Sequence, residues 1–298
     1  MKMHLIFDFN HMFYKYKFRL EKGTLRKLSY EDKDISYIYY NLRDIESARK
    51  KYEKKGYEVF VHVCMDSKTK RKEESLEYKA NRENKLSQDN FDDMQITTNL
   101  LRAAGYDVIK VEGYEADDII WTLVHSIPSD ENVVIYTNDS DVTVNVKDNT
   151  VVELYNSVKG NTEVTCYNFE MFMRQKLKSE EFMYNEIILY KSLVGDKADN
   201  VSGIDKFGVK AFDKLMLNMK PYMRGYEHLC SDGNYASAII RKAHELGFLT
   251  DVQYKQAMDS FSLVVPRVVD GVELVYKKSS YGSRERAYSK YEMKSLYE

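Results

Sequence analysis

Three apolar runs in this chain each end on an aspartate: Leu5-Ile6-Phe7-Asp8, Val59 to Met65 followed by Asp66, and Val133-Val134-Ile135-Tyr136-Thr137-Asn138-Asp139. More acids stand at matching places. Glu115, Asp117 and Asp118 follow the run Val108 to Val111, Asp141 is beside Asp139, and Asp196 and Asp199 come later. That makes nine carboxylates. They cannot all stay ionised in one crevice without compensation, because like charges raise one another's pKa unless a cation intervenes. Hard oxygen donors with no His or Cys partner favour Mg2+ or Mn2+ over zinc. The chemistry they could support is that of a divalent-metal pair.

To share a crevice, the three runs must be neighbouring strands. Short β-rich runs separated by helical stretches suggest parallel strands, and open α/β sheets bind ligands beyond the carboxyl ends of their strands. Ile35, Ile38, Tyr39, Leu42, Ile45 and Tyr52 recur at helical spacing and supply a crossover between the first two runs. A helix with Phe91, Met94, Thr98 and Leu101, a strand from Tyr106 to Val111 and a helix from Ala116 to His125 lead to the Val133 strand. From Tyr167 onward the pattern is mostly helical, with runs Tyr184 to Val194, Lys210 to Leu217, Tyr235 to Leu246 and Asp251 to Phe261. The expected organisation is an α/β core over residues 1–165, with a charged segment 67–87 projecting into solvent, and a helical part over 166–298 packed on it.

With 298 residues, 43% of them hydrophobic, the chain can build a substantial core. It has no apolar run of about 18 residues to span a bilayer. Met1-Lys2-Met3-His4 enters a strand rather than a signal peptide, so a cytoplasmic monomer with no membrane partner is expected. Cys64, Cys166 and Cys230 form no CxxC pair, which argues against a disulfide framework or a thiolate metal site; Cys64 reads as a buried strand residue. The net charge of -2 conceals local excess: Lys68, Lys70, Arg71, Lys72, Lys79, Arg82 and Lys85 face four glutamates between residues 67 and 85, and residues 276–298 are rich in Lys, Arg and Tyr.

Each motif also has a plain structural explanation. Acids at Glu115, Asp117 and Asp118 suit a helix start through the helix dipole, and Glu115 and Asp117 can reach one ion only if Glu115 precedes the first full turn. Asn138-Asp139-Ser140-Asp141 could be an Asx-rich turn. Gly195-Asp196-Lys197-Ala198-Asp199-Asn200 could be a helix C-cap and polar loop. The glycine hairpin Gly203-Ile204-Asp205-Lys206-Phe207-Gly208-Val209-Lys210 could offer N–H groups to a phosphate or simply turn the chain.

In order and spacing, Phe7-Asp8, Asp66, Tyr78-Lys79-Ala80-Asn81-Arg82, Glu115 to Asp118, Asp139-Ser140-Asp141, Gly195 to Asn200 and the Gly203 hairpin resemble the metal-dependent 5′ nucleases. That family comprises flap endonucleases, the 5′-nuclease domain of bacterial DNA polymerase I, and bacteriophage 5′-to-3′ exonucleases and RNase H. The resemblance implies a PIN-like fold, a mostly parallel central sheet flanked by helices, followed by a helical part with a helix-hairpin-helix-type motif at 200–217. It implies two Mg2+ or Mn2+ ions, one among Asp8, Asp66, Glu115, Asp117 and Asp139, the other among Asp141, Asp196 and Asp199, with Asp118 between. Asp139, Asp141, Lys79 and Arg82 would serve the chemistry. Lys15, Lys70, Arg71, Lys72, Tyr78, Gly203, Lys206, Gly208 and Lys210 would join Lys79 and Arg82 in holding nucleic acid, and a K+ ion would sit at the hairpin. DNA or an RNA-DNA hybrid is the implied substrate, and a single-strand-binding or other replication protein an implied partner.

Two positions depart from the pattern. Lys15 replaces a common arginine, changing a bidentate phosphate grip to a point charge. Lys206 replaces a glycine, and a side chain resists the positive φ such a hairpin needs. A haloacid dehalogenase-type phosphatase also carries a strand-terminal aspartate, but needs a second acid where this chain has Asn10. A catalytically silent DNA-binding relative would lack ligands, and none is missing.

Overall fold

The computed structural model describes residues 1–82, 87–155, 160–183, 186–223 and 234–298. In chain order the elements are β1 (Lys2–Asp8), α1 (Phe9–Glu21), β2 (Ser29–Tyr30), β3 (Lys33–Asp34), α2 (Ser36–Glu53), β4 (Glu58–Met65), α3 (Arg71–Glu74), α4 (Gln88–Ala103), β5 (Asp107–Lys110), α5 (Ala116–Ser126), β6 (Asn132–Thr137), β7 (Thr150–Leu154), β8 (Thr162–Val164), α6 (Phe169–Leu177), α7 (Ile187–Val194), α8 (Val209–Met219), α9 (Asn234–Glu245), α10 (Asp251–Val264) and α11 (Tyr281–Tyr288). The residues fall into two compact units. One holds Met1–Lys68, Asn84–Glu163 and Val268–Glu298; the other holds Thr69–Glu83 and Val164–Arg267. A single cut after residue 165 would place residues 268–298 with the helices and the charged segment with the sheet. The chain instead returns to the first unit at its end.

The first unit is built on a six-stranded sheet ordered β5-β4-β1-β6-β7-β8, in which β5, β4, β1, β6 and β7 run parallel. Leu5, Ile6 and Phe7 are all buried, as a strand covered on both faces requires. Register pairs Asp8 with Cys64 on one side and Phe7 with Tyr136 on the other, so the three aspartate-ending runs are adjacent, as expected. Helix α2 buries Ile38, Leu42, Ile45 and Tyr52 along one stripe. In the middle of that stripe, the buried Glu46 accepts from the hydroxyls of Tyr106 at 2.6 Å and Tyr288 at 2.8 Å and from Arg49 at 2.9 Å. This fastens α11 to the core and gives residues 276–298 a structural role.

Near the amino ends of the strands, the fully buried His4 and His62 lie 3.1 Å apart. His4 also meets Glu131 at 2.7 Å and His62 meets Asp107 at 3.0 Å. Burial disfavours the charged form of the His4 ring, against the opposing pull of Glu131.

The second unit packs α7, α9 and α10 around Leu189, Leu193, Ile239, Ile240 and Ala257. Its charged segment does not simply project into solvent. Residues 71–74 form the short α3, Arg267 pairs with Glu74, the Asn81 amide donates to the Lys197 carbonyl and the Asn200 amide to the Glu77 carbonyl. Residues 83–86 of that segment, together with Tyr184 and Cys230, lie outside the described residues.

Candidate metal centre

Each acid of the first unit follows a strand or opens a helix at the carboxyl end of the sheet. Asp8 closes β1 and is 1% exposed. It accepts from the Thr137 hydroxyl at 2.8 Å, across from the neighbouring strand β6. Burial, followed by the charges of Asp66 and Asp139, pushes the Asp8 carboxyl up to about 6, against the opposing pull of His11 and Thr137. Asp66 follows β4; its Oδ1 accepts from the Ala116 amide at 2.8 Å at the start of α5, where aligned N–H groups favour an anion. Ser67 holds the same loop from the other side, accepting from Gly113 at 2.8 Å and donating its amide to Tyr114 at 3.1 Å.

Glu115 is the N-cap of α5, with extended ψ of 162°. It therefore precedes the first turn, the condition that lets its side chain and Asp117 face one ion. Asp118, 1% exposed, accepts from the Glu115 amide at 3.3 Å. Asp139 lies two residues past β6. Its amide donates to the Thr137 hydroxyl at 2.9 Å and its Oδ1 accepts from the Asp141 amide at 2.9 Å. The Asx-type turn is thus real, and it presents both acids. Cys64 is buried beneath them, and its thiol is pushed up by that burial and by Asp8, Asp107, Asp117 and Asp66.

Three neighbours of these acids carry roles that sequence patterns did not assign. Thr137 orients Asp8 and the Asp139 turn. The His11 ring stands 3.7 Å from Asp139 and 4.0 Å from Asp8; its place one helical turn beyond Asp8 was the available signal. The Asn10 side chain accepts from the Asp66 amide at 3.4 Å.

Among the described residues, no three His, Cys, Asp or Glu side chains already stand in a cage around an ion. The donor set nonetheless suits a hard divalent cation. Its members are carboxylates, and an Asp8 carboxyl pushed up by burial and then by Asp66 and Asp139 is the arrangement a cation relieves.

Asp196 and Asp199 belong to the second unit. There Asp196 pairs with Lys191 and accepts from the Ala198 amide at 2.9 Å, while Asp199 pairs with Arg82 and lies 3.6 Å from Lys79. The loop is bridged by two backbone bonds of 2.8 Å between Asp196 and Val201. Gly195 and Gly203 have φ of +88° and +67°, and a Cβ on Gly203 would fall 2.4 Å from the Gly195 nitrogen. This contact allows no side chain at either position.

The expected nucleic-acid contacts divide. Lys70, Lys72, Arg82, Lys206, Gly208 and Lys210 are exposed. Lys206 adopts φ of 57° despite its side chain, so the turn that glycine would favour forms here with lysine. Arg71, Tyr78 and Gly203 are placed differently. Arg71 is turned inward to the Val265 carbonyl at 2.8 Å, the Tyr78 ring is buried and unable to stack on a base, and the Gly203 amide already donates to Ser260 at 3.1 Å. Lys15 pairs with Asp44 at 2.6 Å.

The model of the family "5′-3′ exonuclease, N-terminal resolvase-like domain" matches residues 3–178. The chain belongs to that family. It is 29% identical over 251 residues to DNA polymerase I of Caldicellulosiruptor bescii, covering 83% of this chain and 28% of that protein. It is 32% identical over 175 residues to a 5′-3′ exonuclease of Aquifex aeolicus, covering 58% of this chain and 56% of the relative. The chain thus spans under a third of the polymerase's length and about half of the exonuclease's. Among solved structures, the T5 D15 protein co-crystallised with metal ions superposes with a TM-score of 0.56 at 16% identity over all of both chains. The catalytic core of Rad2 in complex with DNA gives 0.51 at 13% identity, covering 99% of this chain and 89% of that one. At such identities the likeness is one of fold, and it agrees with the expected mostly parallel sheet and flanking helices.

Proposed function

We propose that this family member is a 5′ nuclease that hydrolyses phosphodiester bonds at or near 5′ ends of branched, nicked or RNA-DNA substrates, using a pair of Mg2+ or Mn2+ ions and leaving 5′-phosphate products. The observation that carries the reading is the buried Asp8 carboxyl, raised to about 6 chiefly by that burial and further by Asp66 and Asp139. A carboxylate group this disfavoured as an anion calls for a cation. Family membership sets the phosphatase alternative aside.

Asp8, Asp66, Glu115, Asp117 and Asp139 would hold one ion, with Asp141, Asp196 and Asp199 serving the second and Asp118 between. Such a pair would supply a hydroxide nucleophile and stabilise the leaving oxygen. Thr137 and the α5 amide of Ala116 keep Asp8 and Asp66 aimed. Lys79 and Arg82, already committed to an acid at Asp199, hold the scissile phosphate and offset charge that develops on it. The exposed Lys206, Gly208 and Lys210 at the start of α8 grip the duplex backbone in the manner of a helix-hairpin-helix motif, with K+ as the monovalent ion. Primer removal in replication, or repair alongside a single-strand-binding protein, is the setting this chemistry suits; the T5 and Rad2 folds were solved with metal ions and with DNA respectively.

End-labelled flap, nicked and RNA-DNA substrates incubated with Mg2+ test the reading. Products carrying 5′-phosphates are expected, and their lengths separate exonuclease from flap cutting. Products with 5′-hydroxyl ends would overturn the proposed bond cleavage.

A further inference from the structure

Sequence motifs give the nine acids only oxygen donors for company. The fold adds a nitrogen. His11 is the third residue of α1 and stands three positions after Asp8, so the two side chains share one face of the first turn. Its amide donates to Asp8 Oδ1 at 3.4 Å. Its ring Nε2 lies 4.0 Å from Asp8 Oδ2 and 3.7 Å from Asp139 Oδ2, facing acids that belong to two neighbouring strand ends.

Both oxygens are held where they are. The Thr137 hydroxyl donates to Asp8 Oδ2 at 2.8 Å and accepts from the Asp139 amide at 2.9 Å, so neither acid swings toward the ring without disturbing a link. Separations of 3.7 and 4.0 Å exceed the roughly 2.7–3.2 Å of a hydrogen bond, and the ring closes on neither carboxylate. They match donors that share an ion. With bonds of about 2.1 Å, a six-coordinate cation holds adjacent donors about 3 Å apart and opposite donors about 4.2 Å apart, and both separations fall between these. The imidazole is partly exposed, which leaves it open to an ion from solution. The other described histidines are engaged elsewhere: His4 and His62 with Glu131 and Asp107, His125 with the Trp121 carbonyl, and His244 with Asp251.

Mg2+ takes oxygen donors and gives up its water reluctantly, whereas imidazole suits transition metals. One nitrogen among carboxylates therefore favours Mn2+ over Mg2+. We propose that the His11 ring is a nitrogen donor to the ion held by Asp8 and Asp139 and tilts that site toward Mn2+, a role that rests on the metal-centre reading.

The test reads coordination rather than turnover. Metal-free protein is loaded with one and two equivalents of Mn2+ and its electron spin echo recorded, with and without 15N-labelled histidine. Histidine nitrogen modulation is expected in the wild type, changing with the label, and is expected to be lost in His11→Gln, whose side chain offers an oxygen at similar reach. By calorimetric titration, the ratio of Mn2+ to Mg2+ affinity should fall about tenfold or more in His11→Gln, the scale on which even outer partners of a metal act. The labelled wild type decides the point without any variant, and matching melting temperatures establish that His11→Gln folds. Bound Mn2+ with no histidine nitrogen, or nitrogen modulation and an affinity ratio both unchanged in His11→Gln, would overturn the role of His11 and leave the nuclease reading standing. Failure of the wild type to bind Mn2+ at all would overturn the metal centre, and His11 with it.

Discussion

The Thr137 hydroxyl donates to the buried Asp8 carboxylate at 2.8 Å, joining the carboxyl ends of two adjacent parallel strands. The same oxygen accepts from the Asp139 amide at 2.9 Å, so one side chain sets the direction of two acids. Thr137→Val keeps the shape and removes both links. It is expected to lower stability by about 1–3 kcal/mol, read from the urea midpoint at unchanged slope, and to weaken Mn2+ binding in a calorimetric titration. An unchanged midpoint and unchanged Mn2+ affinity would assign Thr137 no orienting role.

The raised pKa of Asp8 gives a pH dependence of definite sign. An acid whose folded value, about 6, lies above its ordinary value of 3.8 binds its proton more tightly when folded. Stability of the metal-free protein therefore falls as pH rises from about 3.8 to 6, and the deficit is constant above that, at about 3 kcal/mol. Asp8→Asn removes this effect. The metal-free variant should melt higher than wild type at pH 7.5 and show a smaller difference at pH 5. Mg2+ should raise the wild-type melting temperature and leave that of the variant nearly unmoved.

Lys79 and Arg82 are both held by Asp199, and the proposed role gives them the scissile phosphate. Lys79→Ala is expected to lower kcat by about 10²-fold while changing duplex affinity less than threefold in a Ca2+ binding assay. Equal losses in rate and affinity would make Lys79 a general DNA contact.

The contact between Gly195 and Gly203 is backbone against backbone, with no flexible side chain to yield. Gly203→Ala adds both a 2.4 Å collision and a strained φ of +67°, and should lower stability by more than about 2 kcal/mol. Circular-dichroism melting measures this directly. A variant as stable as wild type would show that the loop can open at little cost.

What the sequence made legible was whatever rests on local pattern. The runs ending at Asp8, Asp66 and Asp139 are strands because their residues are apolar or β-branched, and one helical crossover pairs the first two; the place of the third beside β1 comes from the sheet itself. Contacts that pair residues distant along the chain left no such pattern. Nothing in the spacing of Arg71 distinguishes it from its exposed neighbours Lys70 and Lys72, yet Arg71 is folded onto the carbonyl of residue 265. Tyr78 looked like a stacking surface and is core. Residues 276–298 read only as rich in Lys, Arg and Tyr, whereas Tyr288 reaches Glu46 across the chain. Lys206 takes a backbone conformation its residue type disfavours, which composition alone argues against.

The most direct measurement is cleavage of a labelled 5′-flap DNA in Mg2+ by the wild type and by Asp139→Ala, with EDTA as the metal-free control. Metal-dependent cutting by the wild type, reduced at least about 10²-fold in Asp139→Ala, is the predicted result. No cutting by the wild type in Mg2+ or Mn2+, or undiminished cutting by Asp139→Ala, would contradict the account.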